Sequence, residues 1–138
     1  MPHPLEIPEM LTRRRVLALT PIALLAATSA FADAEVAFSP AVFAAAQKEG
    51  KSILVAIHAS WCPTCKAQKP IITGLLADPK FKDMVMFRMD FDSQEREVRA
   101  MKAQMQSTLV AFKGKTETSR SVGDTDPASI ANLMASAL

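Results

Sequence analysis

Cysteine is scarce in this chain: there are two in 138 residues. One possible bridge is too few for a fold held together by disulfides, so stability must come from a packed core. Charge of one sign is also lacking, with a formal net charge of only +2. That excludes the electrostatic footprint expected for nucleic acid or an anionic membrane surface. There is no internal repeat and no low-complexity tract, which excludes a solenoid or a long charged tail. Long hydrophobic runs are missing too. The stretch Val16–Ala27 has twelve residues, well short of the roughly 20 that span a bilayer. What is present is a chain that is 49% hydrophobic, enough for one core in one domain.

The short apolar run has a basic cluster, Arg13, Arg14 and Arg15, before it and small residues, Ala30 and Ala32, after it. That order predicts a secretory signal peptide over residues 1–32, cut after Ala32 or alternatively after Ala34. Thr12-Arg13-Arg14 followed by Arg15, Val16 and Leu17 also fits the twin-arginine export pattern, so both routes stay open. Either route leads to an oxidising compartment, most simply a bacterial periplasm. With the segment removed, no stable membrane insertion is expected, and residues 35–138 form the domain.

Along that domain, Ser39-Pro40 opens a helix that Gly50 ends. Ser52–His58 is apolar enough for a buried strand. A helix from Cys62 or Pro63 to about Leu76 carries Pro70 inside it, which predicts a kink. Met84–Asp90 reads as a strand, and Ser93 to about Met105 as a helix. Thr108–Lys113 and Thr116–Val122 form two strands around Gly114. Asp126-Pro127 starts a last helix to Ala137. Helices between strands imply parallel crossovers, and the short Gly114 turn implies an antiparallel hairpin. The fold class is α/β: a mixed central sheet of about four strands with helices on both faces.

Both cysteines lie in Trp61-Cys62-Pro63-Thr64-Cys65-Lys66. A pair at this spacing can cycle between dithiol and disulfide, hold half of a metal site, or form a static bridge. The strand before it and the helix after it favour the first. They place Cys62 at a helix start, where unpaired N–H groups and the helix dipole favour an anion. The thiolate is the species that attacks disulfides. A bridge enclosing so few residues adds little chain-entropy stabilisation.

From about Phe38 onward the chain resembles the thioredoxin superfamily, in its small single-domain form. The resemblance is carried by Trp61–Lys66 after a buried strand, Pro70, Arg88-Met-Asp-Phe-Asp92, Thr108–Gly114 and Gly123. It implies a thioredoxin-like fold and exchange of disulfides with protein partners through a redox-active Cys62–Cys65 pair. Cys62 is then the nucleophile and the more exposed thiol, and Cys65 the resolving thiol. No cofactor is implied. The partners are protein disulfides or dithiols together with a membrane electron donor or acceptor, and the chain is expected to be a monomer. The balance leans to reductase over oxidase.

Three positions depart from the family. The buried Asp that helps move the proton of the second cysteine is replaced by Ala56. An aromatic residue gives way to His58. The usual cis-proline before Thr108 is Ser107, with Gln106–Ser107 expected trans because a non-proline cis bond costs roughly 2.5–4 kcal/mol. The loss of that proline motivates an alternative: a metal-binding or metal-delivery protein holding copper, zinc or an iron–sulfur cluster on Cys62 and Cys65, with Ser107 or His58 beside them.

Around the pair, Pro63 and Thr64 tune the thiols, though Pro-Thr fixes no reduction potential. Trp61 shapes a docking surface or caps the core. His58 modulates a thiol or is hydrogen-bonded filler. Arg88 is expected to point to water or pair with Asp90 or Asp92. Lys66 and Lys69 flank the site on a solvated helix face. Met84, Met86, Met89, Met101 and Met105 are read as strand and helix core.

Overall fold

The computed structural model describes residues 35–138. The predicted signal peptide and the Arg13–Arg15 cluster lie outside the described residues. The elements are β1 (Glu35–Ala37), α1 (Pro40–Lys48), β2 (Ser52–His58), α2 (Pro63–Leu76), β3 (Val85–Asp90), α3 (Glu95–Ala100), β4 (Thr108–Lys113), β5 (Thr116–Val122) and α4 (Pro127–Ala135), with a short 3-10 turn at Pro79–Phe81. They build one five-stranded sheet in the order β1-β3-β2-β4-β5. β1, β3 and β2 run parallel, and β4 and β5 are antiparallel to their neighbours.

β2 lies at the centre, which is why Ser52–Ile57 is buried without alternation. Ile53, Val55 and Ile57 join Phe87, Met89 and Val110 on one face, with Phe38 and Phe43 against them. Phe38, Phe43, Phe87 and Phe112 form an aromatic cluster with centroid spacings of 5.3 to 5.9 Å, mostly edge-on. On the other face Leu54, Ala56, Met86 and Leu109 pack under Ile72 of α2 and Ile130, Leu133 and Met134 of α4. Gly114 makes the β4–β5 turn at φ +55°, where a Cβ would also meet the Gln47 carbonyl at 3.3 Å.

Four expectations are corrected. The sheet has a fifth strand, β1, only three residues long and too short to show a period. α3 is six residues and starts after Gln94, because the Asp90 carboxylate takes both the backbone N–H and the hydroxyl of Ser93 at 2.8 Å. At roughly 9 Å long, α3 cannot carry the chain back along the sheet. β3 therefore returns to β4 at the same end, and this connection is not a parallel crossover. Met105 is exposed, whereas Met84, Met86 and Met89 are in the core. α2 remains one helix through Pro70. Among the described residues no helix is long and apolar enough to cross a membrane.

Candidate active site

The C-terminal ends of β2 and β3, the start of β4 and the end of β5 meet at one end of the sheet. Cys62 sits there as the N-cap of α2. Its backbone is extended, and its Sγ accepts the N–H of Cys65 at 3.1 Å. Pro63 follows at the first helical position, where no N–H is needed. A sulfur in this place faces the positive end of the helix and an aligned N–H donor.

Cys62 is not the more exposed thiol. It is 2% exposed and Cys65 8%, with both cysteines free. The reason is packing: Ala59, Cys62 and Cys65 form a small apolar cluster closed by Phe91. Burial, then the neighbouring Cys62, push the Cys65 thiol above its ordinary value, while backbone hydrogen bonds from Ala59 and Ser107 act the other way.

Trp61 is 56% exposed, so it belongs to the surface and not to the core. Its indole N–H donates to Asp92 at 2.8 Å, which fixes the ring beside the cysteines. Thr64 is half-buried in the first turn of α2, and Lys66 and Lys69 are exposed on it. Across from the pair, Gln106–Ser107 is trans, and Ser107 is buried at φ +57°. Its hydroxyl donates to the Gln106 carbonyl at 2.6 Å, and the Thr108 hydroxyl donates to the Met105 carbonyl at 2.6 Å. The loop therefore closes on itself through side chains. Met105 and Val122, both exposed, flank it.

Sequence reasoning missed Gln68. This side chain is buried on α2, and its amide donates to the carbonyls of Ser107 at 3.2 Å and Asp124 at 2.8 Å. It ties the helix of the cysteines to the loop opposite. The signal was present: Cys65, Gln68 and Ile72 are the buried positions of α2 at helical spacing.

Arg88 pairs with neither Asp90 nor Asp92. Asp90 is taken by Ser93 and the Asp92 N–H, and Asp92 by Trp61. Arg88 donates instead to Glu35 of β1 at 3.0 Å and contacts His58 Nδ1 at 3.4 Å. Burial, then Arg88, hold the His58 imidazole below its ordinary value of 6.5. Among the described residues no group of three or more His, Cys, Asp or Glu side chains converges to hold a metal ion. The Cys62–Cys65 pair thus has no third donor of these types, and the metal reading gains nothing from the structure.

The thioredoxin family model matches residues 34–136. Thioredoxin of Chlamydia trachomatis is 30% identical over 82 residues, covering 59% of this chain and 78% of its own. The crystal structure of Trxlp from Edwardsiella tarda superposes with a TM-score of 0.70 at 35% identity, covering 72% of this chain and 96% of that one. Thioredoxin from Nicotiana alata, at 24% identity and TM-score 0.64, covers 76% of this chain and 93% of its own and shares the fold.

Proposed function

The chain belongs to the thioredoxin family and is a thiol–disulfide oxidoreductase; from that premise we propose that it works in the periplasm as a reductant of protein disulfides. Cys62 is the nucleophile and Cys65 the resolving thiol. The observation that carries this assignment is the Cys62 sulfur capping α2, with the Cys65 N–H on it at 3.1 Å.

The Cys62 thiolate attacks one sulfur of a partner disulfide, and the other partner sulfur leaves as a thiolate. The Cys65 thiolate then attacks Cys62, forming the internal disulfide and expelling the second partner thiolate. Two electrons pass to the partner. The exposed apolar side chains of Trp61, Met105 and Val122 supply the contact surface. Because Cys62 is buried, a partner must displace neighbouring side chains to reach its sulfur. Export rests on the signal-peptide pattern of residues 1–32, and recharging in an oxidising compartment calls for a membrane electron donor.

Thiol trapping in dithiothreitol and glutathione buffers tests the direction. A reductant gives a potential of about −270 to −230 mV, whereas a value near about −120 mV makes the chain an oxidant. Cys62→Ser abolishes exchange, and Cys65→Ser accumulates the mixed disulfide. Full activity in Cys62→Ser overturns the assignment of the nucleophile.

A further inference from the structure

Resolution requires Cys65 to lose its proton in a place that resists the loss, since burial pushes this thiol up. Beside it lies a cavity of about 40 Å³, large enough for about one or two water molecules. Ala56 contributes only a methyl group to its wall. The cavity's charged and titratable lining besides Cys65 is Glu35, His58, Lys69 and Arg88, and the neutral polar residues Gln68 and Thr73 complete the polar wall. Arg88 lies opposite Ala56 in the β2–β3 register, and from there its guanidinium reaches both Glu35 and His58. Three adjacent strands thus put one connected ionic cluster on the cavity that Cys65 also lines.

We propose that His58, through water in this cavity, accepts the proton of Cys65 in the resolving step, with the Glu35–Arg88 pair positioning the imidazole. The inference rests on the exchange chemistry above. In the mixed disulfide the Cys65 S–H proton passes to water as that water gives a proton to His58. The Cys65 thiolate attacks the Cys62 sulfur, the S–S bond to the partner breaks, and its electron pair leaves on the partner sulfur. The imidazolium then returns its proton through water to that leaving thiolate or to solvent.

The choice of His58 follows from its neighbours. Lys69 and Arg88 are donors only when charged, and the Glu35 carboxylate is committed to Arg88 at 3.0 Å. A neutral His58 ring has one unprotonated nitrogen; if Nδ1 takes the proton, it gives up its 3.4 Å contact with Arg88, the weaker of the two that the guanidinium makes. The charged groups acting on His58 come from three sides: Arg88 and Asp90 on β3, Glu35 on β1 and Lys69 on α2. Arg88 and Lys69 favour the neutral ring, and Asp90 and Glu35 favour the proton it receives.

Stopped-flow oxidation of the reduced chain by a peptide disulfide separates the steps, with the single tryptophan, Trp61, as the probe. The second-order phase is attack by Cys62, and the first-order limit at high disulfide is resolution by Cys65. In the wild type, resolution slows as pH falls through the titration of His58. In His58→Gln and His58→Asn, resolution at pH 7 falls at least roughly tenfold, as general-base loss demands. The acid limb vanishes, and the second-order phase stays within about twofold. Glu35→Gln moves the acid limb to lower pH, because the charge that favours the imidazolium is gone. Ala56→Asp restores resolution in the His58→Gln background. An unchanged resolving rate and pH profile in folded His58 variants overturns the proposal, as does equal slowing of both phases. A wild-type chain with no second-order phase overturns the exchange reading itself.

Discussion

At the scale of single residues, the site is set by which polar atoms are already engaged. The Cys62 sulfur takes a donor from its own helix, and Trp61 is held by Asp92. Gln68 carries the clearest energetic consequence. Its amide serves two carbonyls, and that of Ser107 has a second donor, the Gly123 N–H at 3.0 Å. Gln68→Leu removes both donations from a buried place and is expected to lower stability by about 1–3 kcal/mol. Gln68→Glu keeps the shape but turns a carboxylate toward two carbonyl oxygens. It is expected to destabilise more than Gln68→Leu at pH 7, and to recover part of the loss at acid pH, where a protonated carboxyl can donate. Urea unfolding of the two variants at pH 7 and pH 5 checks the order. If Gln68→Glu matches the wild type at pH 7, the bridge between α2 and the Ser107 loop contributes nothing.

At the scale of elements, what was legible in the sequence is what has a local cause. β2 is readable because a central strand is apolar on both faces, and the start of α4 because Asp126-Pro127 is a capping pair. The place of Cys62 at the start of α2 was readable from the strand before it and Pro63 after it. β1 was not, because three residues show no period, and its role depends on Arg88 reaching Glu35 from another strand. The length of α3 was hidden by competition: the sequence starts the helix at Ser93, but Asp90 claims the N–H and hydroxyl of that residue. The exposure of Cys62 was misread because Phe91, far along the chain, closes over the pair. The same distinction separates two helix starts of similar sequence. The Asp126 carboxylate accepts the Ser129 N–H at 2.7 Å, whereas Ser39 makes no side-chain cap to α1. Asp126→Ala is therefore expected to cost about 1 kcal/mol and Ser39→Ala less than about half of that. Both should appear as shifts of the urea midpoint with unchanged slope. Equal losses would show that the caps do not differ as the geometry says.

At the scale of the whole molecule, two helical layers close on a sheet whose strand ends carry the chemistry, so titration at the site is coupled to the stability of the domain. The opposite end is pinned separately, by the Ser52 hydroxyl donating to the Ala137 carbonyl at 2.6 Å. His58 is held below its ordinary 6.5, so its contribution is complete above that value and is lost as pH falls through the lower folded one. Asp90, held below 3.8 by the Ser93 N–H and hydroxyl, adds a loss of the same sign at more acid pH. Glu117, held below 4.5 by Arg120, does likewise. Cys65 has the opposite sign. Raised above its ordinary 9.0, it contributes stability that is present below 9.0 and lost as pH rises through the folded value. The reduced protein should therefore be most stable between about pH 7 and 8.5, with an acid limb and an alkaline limb. Oxidation removes the thiol, and with it the part of the alkaline limb that Cys65 supplies, while the acid limb stays. Urea midpoints from pH 3 to 10, measured on the reduced protein and on the disulfide form, separate the two limbs. An alkaline limb of the same depth in both forms would mean that the buried thiol does not couple redox state to folding. A limb confined to the reduced form would tie the proton on Cys65 to the stability of the whole domain.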